Sequence, residues 1–361
     1  MIRRDVPSGL IYNRGMENAS RKARWWAWAL ICLVAWLIFA ATVAAFGSRQ
    51  WWVLGLLAPF RFHYLMLGGV VAIGLLFGVR RRFRRVGSAL LAVLLSVVIN
   101  LFQIAPFWFA SLAADTAEPG LKVMAFNVFV GNGLLDEVAT AAPVARAIQD
   151  PGAALVLVQE VTVHRLTMLG RALPDYRLII GKGQPDAFGI ACFVRRSAEQ
   201  GEHGIKIESA RILNITDGYA KAPQVEVLCT WRGRPIALLG MHTLSDFHGR
   251  GRRYRDVMMQ SAGAWAKLQK AQGRAVIIMG DFNATPWCAP MIDLIEDANL
   301  VDSMLGFGIQ QSWPTRLPGL LRIPIDQCLH SDDLITRSRQ VGPDSASSDH
   351  LPLTVELQWR K

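Results

Sequence analysis

The chain has 361 residues, 52% of them hydrophobic, and carries 39 Lys and Arg against 28 Asp and Glu, a formal charge of +11. So high an apolar share excludes a chain that is water-soluble throughout, and the length admits two or three domains. The charge itself is local: residues 1–110 hold 13 basic and 2 acidic side chains, and residues 111–361 hold 26 of each, so the larger part has no global basic field with which to gather a polyanion.

In chain order, residues 1–24 are polar, basic and aperiodic, and are expected to be disordered. Trp25 to Phe46 is apolar without one charge, long enough to cross a bilayer. A second apolar region runs from Trp51 to Val79, interrupted by Arg61 and His63, and a third from Val86 to Ala110, broken by Asn100 and Gln103. Three transmembrane helices over 25–110 are expected. The alternative is two spans with a re-entrant Trp51–Phe60 piece. The first run is too long for a signal peptide and is followed by two more. Arg3, Arg4, Arg14, Arg21, Lys22 and Arg24 precede the first span, and Arg80, Arg81, Arg82, Arg84 and Arg85 lie between the second and third. By the positive-inside rule these segments face the cytoplasm, and everything after the third span lies on the periplasmic or extracytoplasmic side. The arginine cluster is therefore read as a topology determinant. Residues 111–120 read as a linker.

Beyond the linker, strands and helices alternate over 121–361. Strands are predicted at Leu121–Phe126, Ala154–Val158, Tyr176–Ile180, Gly189–Val194, Ala275–Met279, Asp326–His330, Leu334–Thr336 and Leu353–Leu357. Val225–Trp231 and Pro235–Met241 form a hairpin over Arg232-Gly233-Arg234. Leu134–Gln149, His164–Ala172 and Arg252–Ala271 are predicted helices. One α/β domain with a sizeable core follows. Cys32 lies in the first span. Cys192, Cys229, Cys288 and Cys328 show no C-x-x-C spacing, so single buried thiols are expected.

The most informative stretch is Val276 to Trp287. Four apolar residues stop at Gly280, and Asp281 and Asn283 follow on the same side of an extended chain. A carboxylate and an amide at the carboxyl edge of a sheet stand where α/β proteins bind ligands. Other strands end the same way. Asn127 ends the first, Gln159-Glu160 the second and His242 the hairpin. Asp326 opens a late strand, and Ser348-Asp349-His350 precedes the last. One such residue is a turn or a cap; six in this order are hard to explain as turns.

The order Asn, Gln-Glu, His, Gly-Asp-x-Asn, Ile-Asp, Ser-Asp-His resembles the endonuclease/exonuclease/phosphatase superfamily, which includes DNase-I-like nucleases, sphingomyelinases and inositol phosphate phosphatases. The specific part is Gly280-Asp281-Phe282-Asn283 with Ser348-Asp349-His350. Three spans before such a domain are similar to the membrane-anchored bacterial branch. The resemblance implies an α/β four-layer sandwich of two mixed β-sheets flanked by helices, here preceded by an all-helical transmembrane region. It implies hydrolysis of a phosphoester supported by Mg²⁺, with Mn²⁺ as its substitute, and metal ligands Glu160, Asn127 and Asp349. Asp281 corresponds to the general base and Asn283 to a donor toward a phosphoryl oxygen. His242 and His350 correspond to donors toward developing charge, and Asp326 to the partner that fixes the His350 tautomer. Hard oxygen ligands suit Mg²⁺, and donors aimed at phosphate suit the transition state.

Neither serine nor cysteine serves as a nucleophile in this scheme. Ser347 and Ser348 shape a turn, Asn132 sits in a Gly-Asn-Gly turn, and His330 is a satisfied strand histidine. Arg252, Arg253 and Arg255 form a solvated helix face. Met241-His242-Thr243 and Gln327-Cys328 depart from common members without touching the catalytic atoms, and they leave the substrate class open. The expected function is thus a membrane-anchored phosphoesterase of the inner membrane, with the bilayer and a phosphoester substrate as partners and no obligate protein partner. The substrate is a lipid headgroup, a nucleic acid or a small phosphodiester. The neutral domain and the anchor favour the first and last over a nuclease. A non-catalytic membrane scaffold that retains the fold is the alternative of a different class, and the full set of catalytic residue types stands against it.

Overall fold

The structure is a computed structural model that describes residues 8–80, 84–109, 119–129, 131, 133–201, 204–219, 222–245, 249–343 and 348–360. Asn132, Ser347, most of the predicted linker and Arg81 and Arg82 of the arginine cluster lie outside these residues. The chain separates into two units, one of residues 1–47 and 60–104, the other of 48–59 and 105–361.

The amino-terminal part holds α1 (Ser8–Ala44), α2 (Trp52–Gly55), α3 (Arg61–Arg80), α4 (Arg84–Ile104) and α5 (Pro106–Phe109). Three apolar helical stretches, Arg21–Arg49, Trp52–Gly78 and Val86–Ile104, are long enough to cross a membrane. In the first unit α1, α3 and α4 pack through small and branched residues, among them Ala35, Ala72, Ala89 and Val93. Their outward residues stay apolar, with Leu30, Leu37, Val70, Ile73 and Leu91 all exposed. A helix bundle apolar both inside and out suits lipid rather than water. Four of its polar side chains bond one another. Asn100 Nδ2 donates to Thr42 Oγ1 at 2.9 Å, Thr42 and Ser96 share a hydrogen bond of 2.6 Å, and Arg61 reaches Asn100 Oδ1 at 3.4 Å. The basic segment expected to be disordered is helical from Ser8. Once the apolar span has formed its turns, each further residue adds a hydrogen bond without a new nucleation cost.

The second unit is built on β1 (Leu121–Asn127), β2 (Leu155–Gln159), β3 (Tyr176–Lys182), β4 (Ile190–Arg195), β5 (Ile205–Leu213), β6 (Gln224–Trp231), β7 (Arg234–His242), β8 (Ala275–Asp281), β9 (Leu300–Asp302), β10 (Asp326–Ser331), β11 (Leu334–Val341) and β12 (Leu353–Trp359). They form two mixed six-stranded sheets, ordered β11-β12-β1-β2-β4-β3 and β5-β6-β7-β8-β10-β9. Alternation along each strand assigns its faces. In β1, Leu121, Val123 and Ala125 join Val225, Val227, Leu238, Ile277 and Met279 in the core between the sheets. Met124 and Phe126 instead meet α6 (Gly133–Gln149) and α7 (Val163–Ala172) through Val144, Ile148 and Leu169. The second sheet is backed by α8 (Gly249–Ala271), which packs on β8 and on α9 (Ala289–Ala298). Cys192, Cys229 and Cys328 are free thiols in the inter-sheet core, and burial pushes each up to about 12.

Short segments outside the sandwich also belong to this unit. Arg252 on α8 is buried and donates to the carbonyls of Ser48 and Trp52. Arg49 pairs with Asp293, and Phe107 packs edge-on against Trp287 with ring centroids 5.9 Å apart.

Gly280 must be glycine. Its φ is +141°, and an added Cβ would lie 1.9 Å from the Met241 carbonyl oxygen on β7. Backbone cannot yield as a flexible side chain can. Gly280→Ala is expected to cost about 3 kcal/mol. Thermal melting of the full chain in detergent checks this, and an unshifted melting temperature would contradict it.

Candidate active site

Strand register assembles the site. β7 runs parallel to β8 with His242 opposite Asp281, and β10 runs antiparallel to β8 with Asp326 opposite Asp281. Three titratable side chains therefore stand in a row across three adjacent strand ends. In the facing sheet, β1 and β2 pair Asn127 with Gln159, which puts Asn127 and Glu160 at the same edge.

All eight residues singled out from the sequence meet here. Asn127 Nδ2 bridges the sheets, donating to Glu160 Oε1 at 2.9 Å and Asp281 Oδ2 at 3.1 Å. His242 Nε2 lies 3.4 Å from Asp281 Oδ2 and 3.7 Å from Glu160 Oε1. His350 Nδ1 is 2.9 Å from Asp326 Oδ2, which leaves Nε2 facing Asp281 Oδ2 at 3.7 Å and Asp349 Oδ1 at 4.0 Å. Asp281 Oδ1 accepts from the Asn283 backbone N–H at 2.8 Å. Glu160 and Asn283 adopt positive φ, +58° and +45°. Such backbone is costly for residues with a side chain and persists where the surroundings enforce it, often at functional sites.

The electrostatics follow from burial and pairing. Burial opposes charge on His350, but Asp326 and Asp281 outweigh it and hold its pKa up at about 10. Burial likewise opposes a charged His242, and Asp281 and Glu160 again raise it. Asp281 is itself buried, which favours the neutral acid, yet the two histidines hold it below the ordinary carboxylate range. The site is thus an ionised carboxylate flanked by two imidazoles whose charged forms it favours, His350 being further braced by a second carboxylate. Such a set can accept a proton at Asp281 and donate hydrogen bonds to an anion.

The residues open into a cavity of about 650 Å³ lined by Glu160, His242, Asp281, Asn283, Asp349 and His350 with Phe129, Phe188, Tyr254 and Trp313. Two oxygen-bearing groups there suit a hard cation. Asp349 Oδ1 is buried with no hydrogen-bond partner among the described residues, and Glu160 presents its carboxylate to the same cavity. Asp281, Asp326 and His350 also place ligand atoms within 4.8 Å of one another, close enough to hold a metal ion. There, however, Asp326 already engages His350, so an ion would have to break that pair.

Several residues that build the site escaped the sequence reading. Trp313 Nε1 donates to Asp349 Oδ2 at 2.9 Å. Arg255 donates to the Asn283 carbonyl at 2.8 Å. Arg165, fully buried, donates to the carbonyls of Val128 and Phe129 and so pins the chain after Asn127. Arg252 and Arg255 are thus not the solvated face expected; only Arg253 of the three is exposed. A guanidinium can be buried when carbonyls distant in sequence receive its donors, and spacing along α8 does not reveal those carbonyls. Thr243, at one of the departures from the family pattern, is joined to the site through its backbone: its carbonyl accepts from Asn283 Nδ2 at 2.8 Å. Ser348 shapes its turn by donating to the Asn127 carbonyl and accepting from the His350 N–H. His330 is satisfied away from the cavity, bonded to the Ser331 carbonyl and to Thr336, and burial pulls it down to about 4.

The profile of the endonuclease/exonuclease/phosphatase family matches residues 124–350, and the chain belongs to that family. Its members hydrolyse phosphoester bonds. Solved structures share the fold at low identity. An endonuclease/exonuclease/phosphatase from Bacteroides vulgatus aligns with TM-score 0.52 and 16% identity over 67% of this chain and 100% of its own. A mannosyl-6-phosphatase from Bacteroides thetaiotaomicron gives 0.52 and 17% over 66% and 100%. D. rerio TDP2 complexed with a single-strand DNA product gives 0.53 and 14% over 67% and 100%. No curated protein sequence matches the chain at comparable significance.

Proposed function

We propose that the protein is a membrane-anchored, metal-dependent phosphoesterase in which Asp281 activates a water for attack on phosphorus. The observation that carries this reading is the convergence on Asp281 of His242, Asn283 and His350 at one cavity, with Asn127 donating to the same carboxylate from the facing sheet. Asp281 takes a proton from the water as its oxygen bonds to phosphorus. The phosphorus–oxygen bond to the leaving group breaks, and that oxygen takes a proton from solvent. Asn283, His242 and His350 donate toward the phosphoryl oxygens, where negative charge gathers. Glu160, Asn127 and Asp349 would hold Mg²⁺, or Mn²⁺ in its place. A bound cation would neutralise charge on the phosphoryl group and orient the water.

The neutral charge of residues 111–361 favours a lipid or small phosphoester over a nucleic acid, whose binding ordinarily draws on many basic contacts. The purified full chain with Mg²⁺ should hydrolyse phospholipids or a soluble phosphodiester such as bis(4-nitrophenyl) phosphate. Preferential cleavage of DNA or RNA would make it a nuclease, and failure on every phosphoester would retire the enzymatic reading.

The three apolar helices and the arginines of residues 80–85 support an extracytoplasmic position for this unit at a bacterial inner membrane. A reporter that works only after export, fused after Lys361, is expected to be active. A reporter confined to the cytoplasm that works there instead would contradict that topology.

A further inference from the structure

Between Ser312 and Asp326 the chain leaves the site, turns and comes back. Trp313 and Ile323 pair as an antiparallel bridge. Arg322 ties the two arms together, donating to the carbonyls of Thr315 and Leu317 at 2.7 Å each. At the tip, Leu317, Leu320 and Leu321 are 37%, 64% and 54% exposed. Three leucines crowded on one short turn are an unusual cost in water, unlike scattered exposed apolar residues.

The base of this hairpin is the active site itself. Trp313 Nε1 holds Asp349, Thr315 N and Oγ1 donate to the carbonyls of Asp349 and Ser348, and Leu351 N donates to the Ser312 carbonyl. Ser312 Oγ accepts from the Asp326 N–H. The tip is therefore carried on a hairpin whose base bonds the Ser348-Asp349-His350 loop, beside the cavity mouth at Trp313.

The occupant of the tip is argued from three observations. The chain carries three helices long and apolar enough to cross a bilayer, so a lipid surface is present wherever the protein is. The segment leaving the last of them touches the hairpin's own approach: Gly308 N donates to the Phe107 carbonyl at 2.7 Å, three residues beyond Ile104, where α4 ends. From Gly308 the chain reaches Ser312 within about 14 Å. Finally, Ser312–Ile325 contains Arg316 and Arg322 and no acidic residue, and Arg316 is exposed. Leucines flanked by arginines suit an acyl boundary beneath anionic headgroups.

We propose that the Leu317–Leu321 tip enters the bilayer surface and presents the cavity to a membrane lipid, whose phosphoester is the substrate. The substrate assignment rests on the phosphoesterase reading; the docking of the tip does not. Two measurements on the full chain in phosphatidylcholine–phosphatidylglycerol nanodiscs separate them. In a Cys32→Ala background the remaining cysteines are buried, so an environment-sensitive dye can be placed at Leu320→Cys, or at exposed Lys206→Cys as a control. Lipids bearing a quencher on the acyl chain should extinguish the dye at 320 and spare it at 206. The doubly substituted Leu320→Asp, Leu321→Asp chain should lose roughly tenfold in lipid turnover. Its turnover of bis(4-nitrophenyl) phosphate should stay within about twofold, since the tip bears no catalytic group. An unquenched dye at 320, or equal loss on both substrates, overturns the proposal. A wild-type chain that hydrolyses neither substrate while its tip is quenched would retire the phosphoesterase reading and with it the lipid substrate, leaving the docking in place.

Discussion

Glu160→Gln is expected to lower kcat/KM by a hundredfold or more and to shift the Mg²⁺ requirement to higher concentration. The substitution keeps size and most hydrogen bonding but removes the charge that would hold the cation. Glu160 sits at positive φ just past β2, with Asn127 Nδ2 on Oε1 and His242 Nε2 at 3.7 Å. Its carboxylate is therefore aimed into the cavity by backbone and by neighbour, an arrangement core packing alone does not demand. A Mg²⁺ titration of wild type and variant checks this. Unchanged activity with an unchanged titration would remove Glu160 from the metal site.

The second large effect concerns His350 and Asp326 as a unit. The 2.9 Å contact between Nδ1 and Oδ2 fixes the ring, directs Nε2 toward Asp281, and keeps the imidazole charged. Asp326→Asn and His350→Ala should each cost a factor on the order of a hundredfold, as for a lost oxyanion donor. The double variant should lose little beyond the worse single one, because residues that act together are non-additive. Measuring kcat/KM for the three variants decides the matter. Multiplied losses would mean that Asp326 only ends its strand, and an active His350→Ala chain would remove the histidine from the chemistry.

The site was legible because its residues end strands whose apolar runs are unambiguous. Val-Ile-Ile-Met stopping at Gly-Asp-x-Asn announces both a buried strand and the polar tip it brings to the cavity, and Leu-Val-Leu-Val before Gln159-Glu160 does the same. Glycine at 280 carried more information than its turn propensity suggested, since β7 approaches too closely there for any Cβ. What escaped reading depends on partners distant in the chain. Trp313 gains meaning only from Asp349, which folding brings to it from 36 residues away. Arg255 and Arg252 look solvated until the carbonyls of Asn283, Ser48 and Trp52 are placed beside them. Strand β5 was missed because its exposed residues, Lys206, Glu208, Ser209 and Arg211, dilute the alternation of an edge strand. α9 was missed because Pro290 reads as a loop until it is seen in the first turn, where its missing N–H costs nothing. The helical stretch from Ser8 continues the span behind it.

Turnover of bis(4-nitrophenyl) phosphate by the full chain, wild type and Asp281→Asn, measured with excess chelator and then with Mg²⁺ restored, bears most directly on metal-dependent hydrolysis at Asp281. The wild type should be inactive with chelator and recover with Mg²⁺, and Asp281→Asn should stay at least a hundredfold below wild type once Mg²⁺ is restored. Wild-type activity that survives chelation, or an Asp281→Asn chain that recovers with Mg²⁺ as fully as wild type, would contradict it.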